Sequence, residues 1–193
     1  MSGQTNLKDL RLLLHNQYAY KMKSIKTFAI LSLAILISFS GFSQKDKSKR
    51  PSPPAQVSKE VNGTNITIDY SQPSKRGREI FGGLEEYGKV WRTGANETTW
   101  IEVSNDVEVE GKSLPAGKYG LFTIPGEEEW TIIFNKKWDG WGAYEYKEKD
   151  DVLRVTVDAK SVDDVAEVFT INIAKNGEVT LAWDQTEVSF TIQ

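Results

Sequence analysis

Residues 169–183 read FTINIAKNGEVTLAW, and this stretch decides the fold class. Phe169, Ile171 and Ile173 alternate with Thr170 and Asn172; beyond Asn176-Gly177, Val179, Leu181 and Trp183 alternate with Thr180 and Ala182. A period of two puts the apolar side chains on one face of an extended segment and the polar ones on the other. Asn-Gly between two such runs predicts a hairpin closed by a type I′ turn, because these residues tolerate positive φ. Half-buried antiparallel strands follow.

Working outward, the same period recurs at Ile66, Ile68 and Tyr70, at Leu153, Val155 and Val157, and at Val188, Phe190 and Ile192. Tyr119–Ile124 and Trp130–Phe134 are apolar at both parities, which predicts strands covered on both faces. Pro115-Ala116-Gly117 and Pro125-Gly126 mark turns between them. The expected fold is all-β, an antiparallel β-sandwich with little helix, with jelly-roll-like and barrel-like closures both left open. Gly77–Gly88 has the composition for a short helical turn, interrupted by Gly82-Gly83, and Lys136–Asp150 reads as irregular.

The N-terminal part reads differently. Lys21, Lys23 and Lys26 precede an uncharged run, residues 27–44, with an apolar centre at Phe28–Ile37 and small residues at Gly41 and Ser43. This is the pattern of an export leader cut before Gln44, and it is short for a bilayer span of about 20 apolar residues. Residues 1–43 are therefore expected to be an upstream extension and signal peptide, with Met22 as the natural start. Residues 44–56, rich in Lys and Pro, are expected to be a flexible tether, and 57–193 a single domain. The expected location is periplasmic or secreted.

Removing the leader changes the available chemistry. His15, Met1 and Met22 all precede residue 44, and the chain contains no Cys, so the remainder holds no imidazole and no sulfur. That excludes Ser-His-Asp and Cys-His nucleophilic arrangements and the usual zinc, copper and haem ligand sets. No cofactor or metal is expected. Five of 24 Lys/Arg and one of 27 Asp/Glu lie before residue 44, leaving 19 and 26 and a formal charge of −7. An acidic chain of this kind has no basic field for nucleic acid, and after leader removal it has no segment for membrane insertion.

Two segments are candidates for a ligand-binding site. In Val90–Glu97, Gly94 suits a tight turn, Arg92 offers a planar fork for a carboxylate or phosphate, and Asn96 both donates and accepts. If Ile101 and Val103 face the core, strand parity points Glu97 inward, where a carboxylate needs a partner. The alternative is that Arg92 pairs with Glu97 or another acid and locks the loop, with Asn96 capping a turn. The second segment places Trp138, Trp141, Tyr144 and Tyr146 beside Asp139, Gly140 and Gly142, the composition of a sugar-binding surface. Its alternative is a lid in which Trp138 and Trp141 cover the end of the core. Trp91, Trp100, Trp130 and Trp183 lie in or beside strand patterns and are expected in the core.

Three segments together resemble a known family: Val90–Glu97, Leu114–Pro125, and Trp130–Lys136 followed by Trp141–Tyr144 and Asp151–Arg154. In order and spacing they are similar to the bacterial domain-of-unknown-function family 2911, over about Ser52 to the C-terminus. The resemblance implies an exported, single-domain protein of Bacteroidota-type bacteria and brings no activity with it.

The leading expectation is a non-catalytic binding domain of the bacterial envelope. Its partner would be a small polar molecule, a glycan or a peptide, held by Arg92, Asn96, Glu97, Trp141 and Tyr144. A second reading is a carboxylate-dependent hydrolase drawing on acids such as Glu97, Glu102, Asp139 or Glu145. A third is a structural or assembly protein that lends a sheet edge to a partner.

Overall fold

The structure, a computed structural model, describes residues 46–193, which form one compact unit. The expected leader and the Met22 start lie outside the described residues. Nine strands account for just over half of the described residues: β1 (Pro54–Val61), β2 (Thr64–Ser71), β3 (Trp100–Val103), β4 (Val107–Val109), β5 (Lys112–Leu114), β6 (Gly117–Ile124), β7 (Glu129–Asn135), β8 (Asp151–Ile173) and β9 (Glu178–Thr191). Seven form one antiparallel sheet in the order β1-β2-β3-β6-β7-β8-β9, and β4-β5 form a second. Helical structure among the described residues is limited to 3-10 turns at Lys47–Lys49 and Glu148–Asp150. No helix among these residues is long and apolar enough to cross a membrane. The all-β antiparallel class is as expected; the sheet curls into a half-barrel.

The curl comes from β8. Its first part, Asp151–Asp158, pairs with β7, and its remainder, Ala159–Ile173, pairs with β9. Past a bulged middle, β8 reaches the chain leaving β2, where Phe169 N donates to Pro73 O (2.9 Å) and Lys75 N to Glu167 O (2.7 Å). β4 meets the C-terminus through paired bonds between Glu108 and Gln193 (2.8 and 2.9 Å). The two apolar runs at 153–157 and 169–173 thus belong to one 23-residue strand. They look separate in sequence because residues between them project past the core, where no apolar face is required. The runs at 179–183 and 188–192 merge similarly, interrupted by Asp184 at φ 54°.

The turns redistribute the Asn-Gly signals. At Lys175-Asn176-Gly177 only Gly177 has positive φ (86°), and Gly177 N donates to Ala174 O (3.1 Å). This is a three-residue connection ending in a left-handed glycine, not the expected type I′ turn. Both residues are left-handed at Asn62-Gly63 (50° and 81°), which joins β1 to β2, and at Glu110-Gly111 (49° and 73°), which joins β4 to β5. The tether expected over 44–56 is in part structured: residues 54–56 are already in β1, which pairs with β2 along its whole length. The helical turn for which Gly77–Gly88 has the composition does not form; the segment is a set of turns that drives Ile80 and Phe81 into the interior.

That interior is aromatic. Trp91 and Trp183 stack (centroids 5.8 Å, planes 19° apart), while Phe81, Trp130 and Phe169 meet them edge-on. Edge and offset contacts set the positive rim of one ring against the negative face of another, a gain beyond area burial. Trp91 Nε1 donates to Gly94 O (3.1 Å), whereas Trp130 and Trp183 keep their N–H groups buried without a partner. Trp100, expected in the core, is half-buried on the outer face instead. Ile101 and Val103 occupy the inner parity of β3, so the neighbouring Trp100 and Glu102 must point outward.

Candidate functional site

The outer face of the sheet carries a row in register: Gln56, Asp69, Trp100, Gly120, Asn135 and Asp151, one residue from each of β1, β2, β3, β6, β7 and β8. The segment 136–150 folds over this row, which explains why β6 and β7 are buried on both faces. Gly120 permits the crossing, since a Cβ there would fall inside the radius of the Lys137 carbonyl oxygen. Asn135 anchors the segment at both ends, donating to Lys147 O (3.0 Å) and Asp151 Oδ1 (2.6 Å) and accepting from Lys137 N (2.8 Å). Tyr146 packs on Phe122 (5.0 Å) and donates to Asp151 Oδ2 (2.8 Å) while accepting from Arg154 (2.6 Å). Burial and the Asp151 carboxylate push the Tyr146 phenol up to about 12, so it stays a donor at any physiological pH.

The tip of this segment joins the other candidate loop. Thr98 N donates to Gly140 O (3.0 Å), Gly142 N to Asn96 O (2.9 Å) and Thr98 Oγ1 to Gly142 O (2.8 Å). The two stretches singled out in sequence are therefore neighbours in space, bridged at Glu97 and Trp141. Their side chains take separate jobs. Asn96, at φ 61°, donates to Ser52 O (2.9 Å) and ties down the chain entering β1. Glu97 does not face inward as parity suggested, because the left-handed Asn96 breaks the strand. Both its oxygens accept from Arg50 (3.0 and 2.7 Å), and Lys47 adds a third contact (3.0 Å). Burial opposes its charge, but these cations win and hold the carboxyl below its usual range. Arg50 also lies 5.9 Å from the ring of Trp141, which is 52% exposed. Tyr144 is 87% exposed.

Arg92 makes no ion pair with Glu97 or any other acid among the described residues, and its Nε is buried without a partner. It flanks Gly142 together with Tyr144. Its charge acts instead on Glu85: burial pushes that carboxyl up to about 7, against the pull of Arg92 and Arg78.

Between the row and the overlying segment is an open cleft of about 200 Å³, lined by Lys47, Asp69, Glu97, Trp100, Trp138 and Asp139 among others. Of the five residues proposed from sequence, only Glu97 lines it. Lys118 projects its ammonium between two indoles, 3.2 Å from the Trp100 centroid and 4.4 Å from that of Trp138. Asp139 is held by Lys137 (2.9 Å), which also binds Glu145 (3.1 Å). Asp69 has only a long contact from Gln56 (3.4 Å) and no ion pair among the described residues; burial raises its pKa despite Lys118 and Lys47 nearby. No grouping of described acids is arranged to hold a metal ion. Asp69, Lys118 and Trp100 were overlooked in sequence, yet a signal existed. Asp69 sits on the polar parity of β2, and Trp100 has the parity opposite to Ile101 and Val103.

A family model described as "Protein of unknown function (DUF2911)" matches residues 52–192. The chain belongs to the DUF2911 family. Nothing among curated proteins or solved structures matches it. The DUF2911 match takes in all nine strands, the cleft floor and the covering segment. Lys47 and Arg50, the cations that neutralise Glu97, lie just upstream of the matched span. One residue lining the cleft of this DUF2911 domain, Lys47, thus comes from outside the matched region.

Proposed function

We propose that this DUF2911 domain is a non-catalytic binding domain of an exported, periplasmic or secreted protein, with its ligand seated in the cleft beneath residues 136–150. The ligand is a small polar molecule, a glycan or a peptide. One observation carries the reading: two indoles and an unpaired carboxylate, Trp100, Trp138 and Asp69, share one solvent-open cleft. Indoles supply flat apolar contact and Asp69 supplies an acceptor, the usual division of labour in a small-ligand site. Export is supported by the leader pattern of residues 21–44. Hydrolysis by paired carboxylates fits less well, because Arg50 occupies both oxygens of Glu97 and Lys137 holds Asp139.

Tryptophan emission during titration with a glycan and peptide panel tests the proposal. A saturable change is expected for at least one ligand class, weakened about tenfold or more by Trp138→Ala and by Asp69→Asn. A flat response across the panel, or variants that bind as tightly as the intact protein, would refute it.

A further inference from the structure

We propose that the Trp100–Trp138 pair bordering the cleft recognises an organic ammonium group, and that Lys118 is its built-in occupant, which an incoming ligand displaces. This rests on the binding reading above and narrows it to one ligand chemistry. The structure already contains an ammonium on two indoles of the cleft wall: Lys118 Nζ lies 3.2 and 4.4 Å from the Trp100 and Trp138 ring centroids. A cation over an indole face is attracted by the ring quadrupole, and two faces around one ammonium make an aromatic cage.

The charges around the cage favour the same class. Glu97 is neutralised by Lys47 and Arg50, and Asp139 is paired with Lys137. Asp69 stands directly opposite Trp100 in the β2–β3 register and has no cation paired to it among the described residues. A ligand ammonium in the cage would find this carboxylate free. Lys118 is held lightly by comparison: neither a carboxylate nor a backbone carbonyl binds its ammonium among the described residues, and its flexible stem can swing toward solvent or toward Glu102, its cross-strand neighbour. Once Lys118 is displaced, an anion would meet the faces of two indoles and the Asp69 carboxylate, so the emptied cage favours a cation.

The test uses choline chloride and its uncharged carbon isostere, 3,3-dimethylbutan-1-ol, read by tryptophan emission at constant ionic strength. The intact protein is expected to bind choline weakly. Lys118→Ala should bind it at least tenfold more tightly, with no response to the isostere, and adding Trp138→Ala should abolish the gain. Lys118→Thr, with a strand-compatible side chain, replaces Lys118→Ala should the latter lose its native circular dichroism. Glucosamine and Nα-acetyl-lysine methylamide then separate an amino sugar from a peptide side chain as the ammonium source. A folded Lys118 variant that ignores choline, or answers the isostere equally, overturns the inference. If the intact protein still binds a neutral glycan or peptide in that case, the binding reading survives; if it binds nothing, both fall.

Discussion

Two carboxylates with opposite surroundings, Glu85 and Glu97, give this protein opposite pH responses at the level of single residues. Glu85, raised to about 7 by burial, favours folding while it is neutral. Its contribution is complete below its unfolded value near 4.5 and is lost as pH rises through about 7. Glu85→Gln should therefore change stability little at pH 4 and raise it at pH 8, by on the order of 1–3 kcal/mol. Glu97 behaves in the opposite sense. Its pKa is lowered in the fold, so its pairing with Arg50 and Lys47 stabilises above the ordinary carboxylate range and is lost on acidification. With its side chain 37% exposed, solvent screens the pair, and Glu97→Gln should cost less than about 1 kcal/mol at pH 7. Urea titrations of both variants at pH 4 and pH 8 check the two signs; equal shifts at both pH values would contradict this account.

At the scale of elements, the covering segment 136–150 depends on one missing side chain. Gly120→Ala puts a methyl group against the Lys137 carbonyl, a backbone atom that cannot rotate away. The segment must lift, at a cost of about 1–3 kcal/mol. Trp138 should then become more accessible to acrylamide quenching, while far-ultraviolet circular dichroism keeps its β signature. Unchanged quenching would mean that the crossing over Gly120 is not what sets the position of the covering segment. Gly177 has a comparable role at the β8–β9 turn: it has positive φ, and a Cβ would collide with the Ile192 carbonyl of the returning C-terminal chain. The type I′ turn expected there is found at Asn62-Gly63 instead. Two residues of sequence specify that a turn forms, but the path of the strands on either side decides which geometry it takes.

For the molecule as a whole, stability rests on the aromatic interior that closes the curled sheet. Trp91→Phe and Trp183→Phe remove the same volume from the stacked pair, but only Trp91 has a bonded N–H. Trp91→Phe orphans the buried Gly94 carbonyl, so it should be the more destabilising by about 1 kcal/mol. Thermal melts of the two variants decide it, and equal losses would argue that the Trp91–Gly94 bond adds nothing. The period-two runs, the doubly apolar β6 and β7, and the absence of imidazole and sulfur after residue 43 were determined by sequence alone, because side-chain parity and composition are local properties. Even the closeness of residues 92–97 and 138–144 was hinted at, since both were singled out. The pairing partners were not, and Glu97 met Arg50 and Lys47 from 47 and 50 residues upstream instead of Arg92. The cleft itself required the folded chain. Asp69, Trp100 and Lys118 come together only when three strands align in register and a distant segment crosses Gly120. Register and crossing depend on interactions between strands far apart in sequence, and a local pattern contains no information about which residue stands opposite which.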